Sequence, residues 1–158
     1  MIDDRELRAA AKALRQFADA AAPALEKAER GIGPVVADHV KAAARRHRKT
    51  GALERSITVQ VRGRGARTEV SVHAGGASAH LVAGGVQRHQ IRAMPGHALR
   101  FERAGGVLSF AAAVDHPGFA ADPFFAEGVE ASAAQIDKIT AQAGDAIAGE
   151  LATRMRRR

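Results

Sequence analysis

The sequence contains no cysteine, no tryptophan and no tyrosine. Without cysteine there is no disulfide framework and no thiolate ligand for a metal. Six Phe are the only aromatics, so the stacking platforms used by single-strand nucleic-acid binders are scarce. Acids are thin in the middle of the chain: between Lys41 and Val114 only Glu54, Glu69 and Glu102 occur. No paired general acid and base is suggested, such as the carboxylates that retaining glycosidases hold about 5 Å apart. Long apolar runs are missing too, and none approaches the roughly 18 residues of a membrane helix. The start, Met1-Ile2-Asp3-Asp4, is acidic. It lacks the basic flank and apolar run of a signal peptide. The expectation is a soluble protein made in the cytoplasm, with no membrane partner.

What is present is alanine and positive charge. The 158 residues suit a single domain, 1–158. The hydrophobic fraction is 46% and is carried largely by Ala. Ala favours helices but adds little transfer free energy, whereas a buried Val, Leu, Ile or Phe adds about 1.5–3 kcal/mol. A thin core of this kind favours stability borrowed from neighbouring subunits. The formal net charge is +7, which fits nucleic acid, an acidic protein partner or a solvated basic face.

The apolar spacing predicts helices first. Leu7, Ala10, Ala11, Leu14, Phe17, Ala18, Ala21 and Leu25 form a stripe of helical period from Asp3 to Arg30. Gly31-Ile32-Gly33-Pro34 reads as a break, with Pro34 opening a second helix to about His47. Thr50-Gly51 ends that helix, Gly51 acting as a left-handed cap. Alternation then predicts strands at 56–62 and 67–73, joined by a turn at Arg62–Gly65. A second hairpin is expected from 98–102 and 107–111 around Ala104-Gly105-Gly106. A short strand is expected near Gln90–Arg92, and 79–86 reads as a helical turn or irregular segment. Asp122-Pro123 looks like a cap followed by Pro at the first helical position, opening one long helix to about Arg154. The expected fold is α+β. Its mainly antiparallel sheet of two hairpins packs with N-terminal helices (1–49) and a C-terminal helix with a basic tail (119–158), the sheet part being 50–118.

Candidate chemistry is sparse. Seven His are scattered, without HxxxH or HExxH spacing. A zinc site needs three or four convergent ligands, so surface histidines are the plainer reading. No Gly-x-Ser-x-Gly elbow and no phosphate-binding glycine loop occurs. No catalytic residue, metal ligand or cofactor site is therefore assigned. The most one-sided stretch runs from Lys41 to Arg67, where nine Lys or Arg face one acid, Glu54. Lys41, Arg45, Arg46, Arg48, Lys49, Arg62, Arg64 and Arg67 are the candidate contacts to DNA or to an acidic partner. A nucleic-acid patch would gain affinity by counterion release, while a solvated or protein-docking face is the plainer alternative.

Two phrases carry a resemblance. The first is Thr50-Gly51-Ala52-Leu53-Glu54-Arg55-Ser56-Ile57, between a basic helix and a strand. The second runs from Arg88 to Phe125 and contains His89-Gln90-Ile91, Ala98-Leu99-Arg100-Phe101, His116-Pro117-Gly118 and Asp122-Pro123-Phe124-Phe125. In this order they resemble the gene-product-ten-like tail-component family of Hong Kong 97-type long-tailed phages, over about residues 35 to 130. Between His80 and Arg88 the chain departs from that pattern. It has Leu81-Val82-Ala83-Gly84-Gly85-Val86 where the family carries an aromatic and an acid. The resemblance implies a non-enzymatic virion protein of the neck or tail, completing the tail or joining head to tail. It implies a homohexameric ring, since such tails have sixfold symmetry. Neighbours would be a connector or stopper and a tail terminator or tail tube, with DNA in the lumen. Thr50, Gly51, Leu53, Ser56, His116, Pro117, Gly118, Pro123 and Phe124 would then be structural or interface residues.

Overall fold

A computed structural model describes residues 4–47, 50–103 and 105–156. In chain order the elements are helix α1 (Asp4–Ala44), a 3-10 turn (Arg45–His47), α2 (Ala52–Ser56), β1 (Ile57–Arg62), a second 3-10 turn (Gly65–Arg67), β2 (Glu69–Ala74), α3 (Ala77–Gly84), β3 (His89–Arg92), β4 (Leu99–Arg103), β5 (Val107–Ala111), β6 (Ala113–His116), α4 (Phe124–Ala131) and α5 (Ala133–Arg156). The fold is α+β, with long helices toward both termini and three antiparallel two-stranded sheets. Among the described residues no helix is long and apolar enough to cross a membrane. The chain divides into two compact units, Met1–Gly76 with Phe124–Arg158, and Ala77–Pro123.

The first unit is organised on α1. The expected break at Gly31–Pro34 does not occur: α1 runs 41 residues, through both Pro23 and Pro34. A proline inside a helix removes one hydrogen bond and crowds the carbonyl four residues back, costing about 3 kcal/mol. Packing around the would-be break offsets that cost. Gly33 is buried against the β1–β2 hairpin so closely that a Cβ would lie 2.5 Å from Val70 Cγ1 and 2.8 Å from Val59 Cγ1. Val36, Ala37, Val40 and Ala44 follow on the buried face. They share the core with Leu53, Ile57 and Phe124. The β1–β2 register runs from Ile57↔Ala74 to Arg62↔Glu69, as alternation predicted.

The C-terminal helix is likewise not one piece. Ser132, fully buried, separates α4 from α5. Its N–H and its hydroxyl both donate to the Val129 carbonyl, at 3.1 and 2.6 Å. Its own carbonyl accepts the first amides of α5, from Gln135 and Ile136. A serine side chain that bonds the nearby backbone competes with the helical ladder, and here the helix is interrupted at that residue. Helix α4 begins at Phe124, one residue after the proline read as its first position. Both α4 and α5 pack on α1. At Gly128 the approach is closest, because a Cβ there would meet Val40 Cα at 2.5 Å. Helix α5 runs antiparallel along α1, with Ile139 beside Gly31 and Ala146 near Ala24.

The second unit starts with α3, which settles the ambiguous stretch before Val86 as helix. The rest is a nested antiparallel ribbon. Val86 bridges Phe119, β3 pairs β6 from His89↔His116 to Arg92↔Ala113, and Ala93 N–H donates to the Ala112 carbonyl. After a turn closed by the His97 amide on Met94, β4 pairs β5 from Leu99↔Ala111 to Arg103↔Val107. The second hairpin is thus present as expected, and it forms the inner end of a longer ribbon. The partner strand β6 was not anticipated. Its pairing with β3 spans about 25 residues and leaves no local turn signal. Ala79 is the one buried apolar residue of this unit among the described residues.

Candidate interaction surfaces

The phrase around Thr50 builds the corner between α1 and the first hairpin. Gly51 has φ 70°, the left-handed region that glycine enters without a Cβ penalty. It precedes the short α2 rather than closing the long helix directly. Thr50 Oγ1 accepts the Ala52 amide at 3.3 Å, and the Gly51 carbonyl accepts the Arg55 amide. Leu53 is buried, and Ser56 donates its hydroxyl to the Leu53 carbonyl at 2.7 Å. The Ser56 carbonyl accepts the Gly75 amide, tying the corner to the far end of β2. Leu53 enters the core, and the Thr50 and Ser56 hydroxyls bond local backbone.

The His116-Pro117-Gly118 turn lies in the second unit. The Gly118 amide donates to His116 Nδ1 at 3.1 Å, so that ring nitrogen is an acceptor. The imidazole stacks on its cross-strand partner His89, with ring centroids 5.0 Å apart. Gly118 has φ 77°, and a Cβ there would run into the Val86 carbonyl oxygen. Pro123 is exposed. In the first unit Phe124 is only 1% exposed and stands edge-on to Phe125.

The basic stretch is divided by the fold. Lys41, Arg45 and Arg46 sit at the C-terminal end of α1. Arg45 pairs with Glu54 at 3.0 Å and Arg46 with Glu127 at 2.6 Å, so part of this cluster is neutralised within the chain. Arg48 and Lys49 lie outside the described residues. Arg62, Arg64 and Arg67 are exposed at the tip of the β1–β2 hairpin, which docks near the middle of α1. There the Gly65 amide donates to Glu26 Oε2 at 2.8 Å. Nineteen residues of α1 separate Glu26 from Arg45, roughly 28 Å of helix axis. The two groups therefore form separate surfaces.

One further cation lies on the same side of α1. At about 100° and 1.5 Å per residue, Arg15 falls on the side that carries Ala22 and Glu26 under the tip, roughly 10 Å along the axis from Ala22, whereas Arg8 lies roughly 27 Å from Glu26. Arg8 is paired with Asp4 at 2.6 Å. Reading the chain linearly could not bring residue 15 toward residues 62–67. The amphipathic stripe gave the rotation of α1, but no local signal says where a hairpin tip lands.

Glu26 anchors that landing. The Gly65 amide, then the Arg30 side chain at 3.0 Å, hold its carboxyl below the usual range. Among the described residues no group of three or more His, Asp or Glu converges to hold a metal ion. A groove of about 210 Å³ lies between α1 and α5, bordered by Ala24, Ala28, Gly31, Ile139 and Ala143. Lys27 and Gln142 are its polar members. Small side chains on both helices leave this space, and it offers no nucleophile or acid–base pair.

Comparison with known proteins finds no family model, no curated protein and no solved structure that matches the chain.

Proposed function

We propose that this chain is a non-enzymatic structural protein of a long-tailed phage particle. It would form a ring at the neck, completing the tail or joining head to tail between a connector or stopper and the tail terminator or tube. The observation that carries this reading is the ordered set of phrases from Thr50-Gly51 to Pro123-Phe124. Their residues fall at corners and turns: a left-handed Gly51 before α2, a left-handed Gly118 after His116, and a buried Phe124 opening α4. Such positions set chain direction, which suits a shape-defining subunit. The test is direct. Mass spectrometry of purified particles should find the chain in stoichiometric amount, and its deletion should leave filled heads and separate tails. Particles that lack the chain yet infect normally refute the proposal.

A second reading, DNA contact, is favoured by one observation: the exposed hairpin-tip arginines on the side of α1 that carries Arg15. Here the tip triple variant Arg62→Ala, Arg64→Ala, Arg67→Ala should lose duplex affinity and flatten the salt dependence by about 0.9 per phosphate contact removed. The triple variant at Lys41, Arg45 and Arg46 should lose less, because two of those cations already face carboxylates. Equal losses, or no salt slope in the parent protein, remove this reading.

A further inference from the structure

Within the second unit, His89 and His116 face each other across the β3–β6 pair. Their rings stack with centroids 5.0 Å apart and planes 29° from parallel. Phe119 stands edge-on to His116 at 6.4 Å. Two neutral imidazoles tolerate that contact, whereas two imidazolium ions at the same separation repel.

Hydrogen bonds fix where the protons sit. His89 Nδ1 donates to the Gln87 carbonyl at 2.9 Å, so the neutral ring keeps its proton there and leaves Nε2 bare. His116 is the reverse. Its Nδ1 accepts the Gly118 amide at 3.1 Å, so the neutral ring carries its proton on Nε2. A second proton enters His89 at Nε2 without loss of a bond. In His116 it can enter only at Nδ1, whose lone pair already holds Gly118. Protonation of that ring and the closed turn exclude each other. The bond matters for the chain path. A ring nitrogen that accepts the amide two residues on does what Asn or Asp does in an Asx turn. Directly after it, Phe119 and Val86 exchange both of their backbone hydrogen bonds.

The surrounding charges offer an added proton no partner. Alternation puts Gln90, Arg92 and Asp115 on the opposite side of the strand pair. There Gln90 donates to Asp115 at 3.4 Å and Arg92 donates to Gln90 at 2.7 Å. Arg88 adjoins His89 in the chain, and residues 117–119 of the turn are uncharged. Helix α3 carries His80 and no acid. Glu102 lies in β4, toward the far end of the ribbon. Among the described residues neither imidazole pairs with a carboxylate.

We infer that His89 and His116 form a proton-operated latch at the base of the ribbon. It is closed while both rings are neutral. It opens when His116 takes a proton on Nδ1, which releases Gly118 and loosens the Val86–Phe119 bridge. Histidine is the side chain suited to sensing mild acid, and the latch needs no partner, so it stands apart from the virion proposal.

Nitrogen-15 NMR of the full chain tests it. In alkaline solution the two rings should show opposite neutral tautomers, Nε2–H for His116 and Nδ1–H for His89. On acidification the Gly118 amide, corrected for intrinsic exchange, should lose protection by at least about fivefold, the worth of one ordinary hydrogen bond. That loss should track the ring shifts of His116 itself. His116→Asn offers the same amide a carboxamide oxygen that does not titrate, so Gly118 should stay protected throughout. Three results overturn the inference: Gly118 protection that is unchanged while His116 titrates, a His116→Asn protein that loses it as the parent does, or a neutral His116 with its proton on Nδ1. The first and third are read on the parent protein, so they do not depend on a variant that folds.

Discussion

Replacing Gly128 by Ala tests the closest helix contact in the first unit. An added Cβ would lie 2.5 Å from Val40 Cα, 2.7 Å from Val40 N and 2.8 Å from Val40 Cγ2. Two of those atoms are backbone of α1, and Val40 is completely buried. No rotamer change relieves the clash, so α4 must move outward by close to an ångström to reach ordinary contact at 3.4 Å. Overpacking of this sort costs about 1–3 kcal/mol. Ala gains roughly 0.5–1 kcal/mol over Gly inside a helix, leaving a net loss of about 1–2 kcal/mol. At about 2–4 °C per kcal/mol for a chain of this length, Tm should fall by roughly 2–8 °C. Gly144→Ala is the internal control. That position is exposed inside α5, with nothing within 4 Å of the added atom, so the same substitution should raise Tm by roughly 1–4 °C. Thermal melts followed by circular dichroism give both numbers. If Gly128→Ala melts at or above the parent temperature, the α1–α4 approach described here is wrong.

Phe124→Ala should cost about 3–5 kcal/mol, measured by urea denaturation, because the ring is almost wholly buried. Phe125→Ala, half-buried, should cost clearly less. Glu127→Ala should change stability by no more than about 1 kcal/mol, since both partners of its ion pair with Arg46 are 43–47% exposed. The hairpin tip should loosen in acid. The folded carboxyl of Glu26 titrates below its unfolded value, so its contribution is fully present above the ordinary carboxylate range and is lost as pH falls through the depressed value. Hydrogen exchange at the Gly65 amide should therefore gain protection as pH rises through that window, after correction for intrinsic rate. In Glu26→Gln that dependence should vanish; an unchanged profile refutes the anchor.

Much of the fold was legible from local pattern. The two-residue alternation around Val59 and Val70, and again around Phe101 and Leu108, marked both hairpins. The 3.6-residue spacing marked α1 and the C-terminal helices. The same rules failed where tertiary contact outweighs local preference. Pro34 and its flanking glycines carry a strong break signal, but the glycines are there to let α1 meet the hairpin and α5 at short range. Ser132 looked like one more small helical residue. Its burial and its bonds to Val129 and Gln135 accompany the break between α4 and α5.

The candidate surfaces divide along the same line. Charge excess, the Gly51 and Gly118 turns and the absence of cysteine are properties of the chain read in order, because each depends on a residue type or on its immediate neighbours. Which cations share a surface depends on distance in space. The run from Lys41 to Arg67 looked like one basic face, yet the docking of Gly65 on Glu26 carries its last three arginines roughly 22–30 Å along the helix from the first three cations, toward Arg15. The exposure of Leu14 and Phe110 is likewise invisible in a stripe or an alternation. Those patterns say that one side of an element is apolar, and only the packed structure shows that nothing within its own unit covers it.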